Sequence, residues 1–162
     1  MYQLAQVNIG RMRAPLSDPL MEGFVNQLEP INALADNSPG FVWRLQSSEG
    51  DATSLRVYED DMILINLSVW SSLRELSDFI YASAHRDVMK QRRQWFERFE
   101  GVYIALWWVP EGHIPTAEEA KERLEHLQEH GPTSYAFTYK QPFAPADSPQ
   151  AAPEPVTDEC MV

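Results

Sequence analysis

The chain has 162 residues, 44% of them hydrophobic and 23% charged, which suits one domain with a core that needs no cross-links. Its formal net charge of −11 repels phosphate backbones and anionic lipid heads, so no nucleic acid and no membrane surface is expected as a partner. Cys160 is the lone cysteine, no basic-then-apolar leader is visible, and no apolar run nears the roughly 20 residues that span a bilayer, so the expected location is cytoplasmic.

Tyr2 to Ile9 reads as a strand ending at Gly10. Ser17 offers an N-cap ahead of Asp18 and Pro19. Leu20, Phe24, Leu28, Ile31 and Leu34 then recur at helical spacing, and Pro30 is expected to kink or break that helix. Phe41 to Leu45 is a short strand, and residues 46–60 form a polar connection. Asp61 to Trp70 alternates, with Ile63, Ile65, Leu67 and Val69 on one face and Met62, Leu64, Asn66, Ser68 and Trp70 on the other. A helix opens near Ser71 or Ser72 and is expected to run, bent, to about Phe99.

Val102 to Val109 is apolar on both faces and so must be covered on both sides. Thr116 and Glu119 form a capping box for a last helix with the stripe Ala120, Leu124 and Leu127, and Gly131-Pro132 stops it. Tyr135 to Lys140 alternates as a final strand. Residues 141–162 hold five prolines and read as a Pro/Ala-rich, acidic, disordered tail, which leaves 1–140 as a single domain.

The order β-α-β-β-α-β-α-β begins with the six elements of a ferredoxin-like split βαβ arrangement, so the class is α+β with helices on one face of an antiparallel sheet. The aliphatic face must then be covered. A second copy packed sheet to sheet would do so, giving a homodimer of the dimeric α/β-barrel kind. The last helix or the tail is the alternative cover.

Candidate chemistry centres on His85 and Arg92. On one helix, His85, Met89, Arg92, Phe96 and Phe99 would share a face, and a buried guanidinium there requires an anion or polar partner. The functional reading is a pocket in which Arg92 holds a carboxylate or enolate while His85 moves a proton. The structural alternative is a packing pair. Asn8 and Asn66 lie on strands, where an amide aimed at a helix–sheet space could polarise a carbonyl. Trp70 and Trp43 are candidate walls, Trp107 and Trp108 point to opposite faces so that at most one lines a given pocket, and His113 sits in a turn that could close over a ligand. Glu122, His126 and His130 have metal-clamping spacing but lie opposite the buried stripe, so no metal is assigned. No GxGxxG, GxxxxGK[ST], GxSxG or HExxH occurs.

Several stretches resemble the bacterial family called domain of unknown function 3291. They are LAQVNIGRM at Leu4–Met12, SPGFVWRLQ at Ser38–Gln46, VWSSLRELSDFIYASAH at Val69–His85, RRQWF at Arg92–Phe96, LWWVPEGHIPT at Leu106–Thr116 and GPTSYAFTY at Gly131–Tyr139. The resemblance covers about residues 1–143 and implies membership of the antibiotic-biosynthesis-monooxygenase-like dimeric α/β barrels. Within that superfamily, Asn8, Trp70 and Ala84-His85 fall near positions that serve haem-degrading members, although Trp70 sits earlier than their tryptophan. The resemblance therefore implies a small-molecule enzyme oxygenating an apolar or aromatic substrate, without a cofactor or with haem on His85. A non-catalytic ligand- or haem-binding dimer and a ligand-free structural homodimer are the alternatives.

Overall fold

The structure, a computed structural model, describes residues 1–46, 58–81, 86–87 and 90–145. In chain order it contains β1 (Tyr2–Arg11), a 3-10 turn (Pro19–Met21), α1 (Glu22–Asp36), β2 (Phe41–Arg44), β3 (Ile63–Trp70), α2 (Leu73–Ile80), a 3-10 turn (Arg92–Gln94), β4 (Ile104–Pro110) and α3 (Ala117–His130). The strands form one antiparallel sheet in the order β2-β3-β1-β4. That order, with α1 and α2 as the connections, is the ferredoxin-like α+β arrangement.

Period-2 alternation divides the sheet into two unlike faces. Ala5, Val7 and Ile9 of β1, Ile65, Leu67 and Val69 of β3, and Ala105, Trp107 and Val109 of β4 build a dry layer with Ala120, Leu124 and Leu127 of α3. The capping of α3 follows the sequence pattern, since the Thr116 hydroxyl accepts from the Glu119 amide at 3.1 Å. Gly131, with φ 77°, ends the helix in the left-handed region that glycine enters without strain. The cover expected from a second copy is thus supplied over this layer by the chain's own last helix.

The opposite face carries Leu4, Gln6, Asn8 and Gly10 of β1 against Trp70, Ser68, Asn66 and Leu64 of β3. Helices α1 and α2 lie over it. Ser72 caps α2 by accepting from the Glu75 amide at 3.2 Å, and Leu73, Leu76 and Ile80 are buried.

Several local expectations change. Asp18 rather than Ser17 is the first cap, accepting from the Leu20 amide at 2.9 Å. Helix α1 runs unbroken through Pro30. Asn26 and Pro30 are both exposed, so the carbonyl freed by the proline can be hydrated. The long second helix does not reach Phe99. Instead, the segment after the second 3-10 turn docks on the continuation of β1, where Arg13 N–H bonds to Trp95 O at 2.8 Å and Glu97 N–H to Arg11 O at 2.9 Å. Phe99 consequently packs with the dry layer.

Tyr135 to Lys140 makes a single bridge, Phe137 to Leu106, rather than a strand. The Thr133 hydroxyl accepts from the Tyr135 and Ala136 amides and bends the backbone away from a ladder. The segment placed in the tail also starts as packed structure, because Phe143 stacks on Phe137 at 6.0 Å and its carbonyl accepts from Trp108 Nε1 at 2.7 Å. Among the described residues, no helix is long and apolar enough to cross a membrane.

Candidate functional site

A cavity of about 220 Å³ lies between the polar sheet face and its helices. Its roof comes from α1, where Phe24, Leu28, Ile31, Asn32 and Ala35 fall at one-sided helical spacing, and from Leu76, Phe79 and Ile80 of α2. Its floor is the central pair of strands. Trp70 forms one end wall, stacked on Phe79 at 5.0 Å and met edge-on by Phe41 at 5.5 Å. Arg92, Trp95 and Phe96 close the other end.

The floor is polar because the register sets Asn8 opposite Asn66 and Gln6 opposite Ser68. Gln6 Nε2 donates to Asn66 Oδ1 at 2.7 Å and to Ser68 Oγ at 3.0 Å. Asn8 Nδ2 donates to Gln6 Oε1 at 3.2 Å and to Asn66 Oδ1 at 3.3 Å, and Trp70 Nε1 donates to Ser68 Oγ at 2.9 Å. Gln6 and Ser68 are both buried, so these mutual bonds are what make their burial tolerable.

Arg92 is positioned by the 3-10 turn whose following residues are stitched to β1. Its guanidinium lies 4.7 Å from the Tyr103 ring centre and 5.7 Å from that of Phe96. Gly10 makes the close approach possible: a Cβ there would stand 2.9 Å from the Phe96 ring and 3.5 Å from Arg92 Nη2. Burial pushes the Arg92 pKa below its ordinary value, partly offset by Tyr103, and Arg93 adds to the lowering. The group stays cationic because guanidinium protonation survives such shifts. Among the described residues no carboxylate pairs with it and no hydrogen bond leaves its guanidinium. Arg44, the other cavity arginine, is neutralised by Asp36 through bonds of 2.8 and 3.3 Å.

Of the residues singled out in the sequence, Asn8, Asn66, Trp70 and Arg92 therefore meet around one cavity. His85 and Met89 lie outside the described residues. Three candidates stand elsewhere. A bulge between Phe41 and Trp43 turns Trp43 to the dry face, where it packs against the aliphatic layer. Trp108 packs against the edge cluster with Phe137 and Phe143. His113 is tied to Glu119 at 2.8 Å on the far side of β4. The rings of His126 and His130 lie 4.5 Å apart with their planes tilted by 41°, and His126 also meets the Tyr135 ring edge-on at 4.6 Å.

Gln6, Ser68 and Gly10 were missed as site residues. Strand alternation already put Gln6 with Asn8 and Ser68 with Asn66, but only the register joins the two pairs. The space also sorts candidate guests. A cavity of about 150 Å³ accepts benzene, so about 220 Å³ fits one ring with a short polar appendage. Pockets for drug-sized ligands begin at roughly 300 Å³, so the cavity lined by the described residues suits a guest smaller than these.

The molecule is similar in structure to PA3566 from Pseudomonas aeruginosa, with 10% identity, a TM-score of 0.46 and coverage of 70% of this chain and 97% of that one. It is also similar to a conserved protein from Methanosarcina mazei Go1, with 13% identity, a TM-score of 0.48 and coverage of 66% and 92%. A third similar structure is described as a candidate antibiotic biosynthesis monooxygenase from Nitrosomonas europaea, with 10% identity, a TM-score of 0.43 and coverage of 70% and 90%. No curated protein matches the sequence. The model of the family described as "Domain of unknown function (DUF3291)" matches residues 3–153, and the chain belongs to that family.

Proposed function

We propose that the protein holds a compact, ring-sized anion in the cavity beneath α1 and α2, with Arg92 as its anchor. The observation that carries this reading is a cation packed between rings, at the edge of a cavity, with no carboxylate partner among the described residues. A desolvated charge of that kind costs several kcal/mol unless something compensates it, and a bound carboxylate or enolate would. The chain carries a formal net charge of −11, yet the described residues lining the cavity include two arginines and no acid, so the acidic surface is not continued inside.

By stabilising negative charge as it develops on its guest, such a site would serve oxygenation of an electron-rich aromatic acid. The same hold without turnover would make a ligand-binding protein, and oxygen uptake in the presence of a bound guest separates the two.

Calorimetric titration with sodium benzoate tests the anchor. Wild-type protein should bind, and Arg92→Leu should weaken binding at least about tenfold, since a hydrogen bond to a charged group contributes roughly 1.5–3 kcal/mol. The same substitution should change folding stability by less than about 1 kcal/mol, because it removes a half-buried charge together with its contacts to the Phe96 and Tyr103 rings and leaves an aliphatic side chain in their place. No uptake of benzoate, or uptake indifferent to Arg92, overturns the proposal.

A further inference from the structure

The hydrogen-bond inventory of the cavity floor has a direction. Ser68 Oγ accepts from both Gln6 Nε2 and Trp70 Nε1, which occupies both lone pairs and, among the described residues, leaves its own hydroxyl hydrogen unspent. Asn66 Oδ1 likewise accepts twice, from Gln6 and Asn8, while its Nδ2 makes no bond among the described residues. Asn8 Nδ2 spends both hydrogens, on Gln6 and Asn66, and among the described residues only its Oδ1 remains open. Trp70 matters here because an indole nitrogen can only donate, which fixes Ser68 as an acceptor at that contact.

Among the described residues, the strand floor of the cavity therefore offers three uncommitted hydrogens, from Asn66 and Ser68, beside the Arg92 guanidinium and the uncommitted oxygen of Asn8, while the Asn32 amide faces them from the roof. We infer that the floor is a specificity element that reads a second oxygen acceptor on the ligand, at the end of the ring opposite the anion held by Arg92. This rests on the Arg92-anchored reading and names its ligand class more closely: an aromatic acid with a carbonyl or oxyanion across the ring.

The spacing agrees with that class. Arg92 hangs over Gly10, and Asn66 pairs with Asn8, two residues along the same strand face. Two strand residues advance about 7 Å, roughly the span of one benzene ring bearing a substituent at each end. Asn66 is exposed, so a ligand with an acceptor there exchanges water on its amide hydrogens for a direct bond, whereas a methyl group displaces that water and gives no bond in return.

Matched probes test the inference: 4-formylbenzoate against 4-methylbenzoate, each titrated into the full chain. Wild-type protein should bind the formyl acid at least about tenfold more tightly. Asn66→Asp keeps the oxygen that Gln6 and Asn8 use and replaces the donor by an acceptor, so this preference should fall to about one. The ratio cancels any general loss of anion affinity from the added charge. Asn66→Leu, which has a similar shape and no donor, provides the same comparison if the aspartate variant does not fold. Equal binding of the two acids by wild type, with both still dependent on Arg92, overturns this inference and leaves the anion anchor standing. A preference that survives in the Asn66 variants also overturns it. Binding of neither acid removes the anchor itself.

Discussion

The two faces of the sheet are made by the same strands and solve opposite problems. Residues 5, 7 and 9 of β1 are Ala, Val and Ile, and with their neighbours they meet α3 in a layer that excludes water. Residues 6 and 8, one step away, are Gln and Asn, and they lie beneath α1 across an open cavity. The covering helices differ accordingly. Three residues of α3 are buried, whereas Ala35 alone is buried on the 15-residue α1. The dry face holds the fold together, since its aliphatic groups contribute through burial alone. The polar face forgoes part of that contribution, because every amide placed on it has to be satisfied by another. A molecule that needed only stability would repeat the first solution on both sides. What the difference teaches is that the cavity face gives up burial for polarity, which is what the proposed guest would use.

That contrast can be broken most severely on the dry side. Leu124→Ala should cost about 2–5 kcal/mol in denaturant unfolding, because Leu124 is fully buried against the sheet and its loss leaves a cavity. A loss under about 1 kcal/mol would mean that α3 does not form the core cover. Less costly is Gly10→Ala on the polar side, where the new methyl would collide with the Phe96 ring. About 1–3 kcal/mol of stability should go, and benzoate affinity with it, as the ring and Arg92 are displaced together. Unchanged affinity in a folded Gly10→Ala protein would show that the Arg92 end of the cavity is not where the anion sits.

The smallest effect sharpens the edge of the dry layer. Burial there, followed by Glu125, pushes the Tyr58 hydroxyl up to about 12 from an ordinary 10.0. The folded state thus holds this proton more tightly than the unfolded chain. Its contribution is present below about pH 10 and is lost as pH rises from about 10 to about 12. Tyr58→Phe should flatten that part of the alkaline unfolding profile. An unaltered profile would place Tyr58 in water.

Reading the fold from the sequence works best where one residue pattern decides one contact. Thr116 caps α3 and Ser72 caps α2 because a short side chain three residues ahead of an amide can reach it without help from the rest of the fold. The alternation of Ile63 to Trp70 assigns each residue to a face for an equally local reason. Arg92 was legible as a charge on an otherwise apolar stripe, even though the helix expected to carry it ends before it and the cation reaches the cavity from a 3-10 turn. Trp43 was not legible, because a bulge reverses the face of every residue after it and nothing in the short β2 sequence announces one.

Sequence alone thus determined which side chains lie on opposite faces of each strand, where the helices around Ser72 and Thr116 begin, and that a cation requires an anionic or polar partner. All of these follow from short-range geometry and solvation. Tertiary structure alone decided that α3 packs over the aliphatic layer. It also decided that Gln6 bonds to Ser68, 62 residues away, and that a gap of ring size remains above them. The reason is that register and packing are properties of pairs of segments. Neither segment of such a pair carries the other's position in its own pattern of residues.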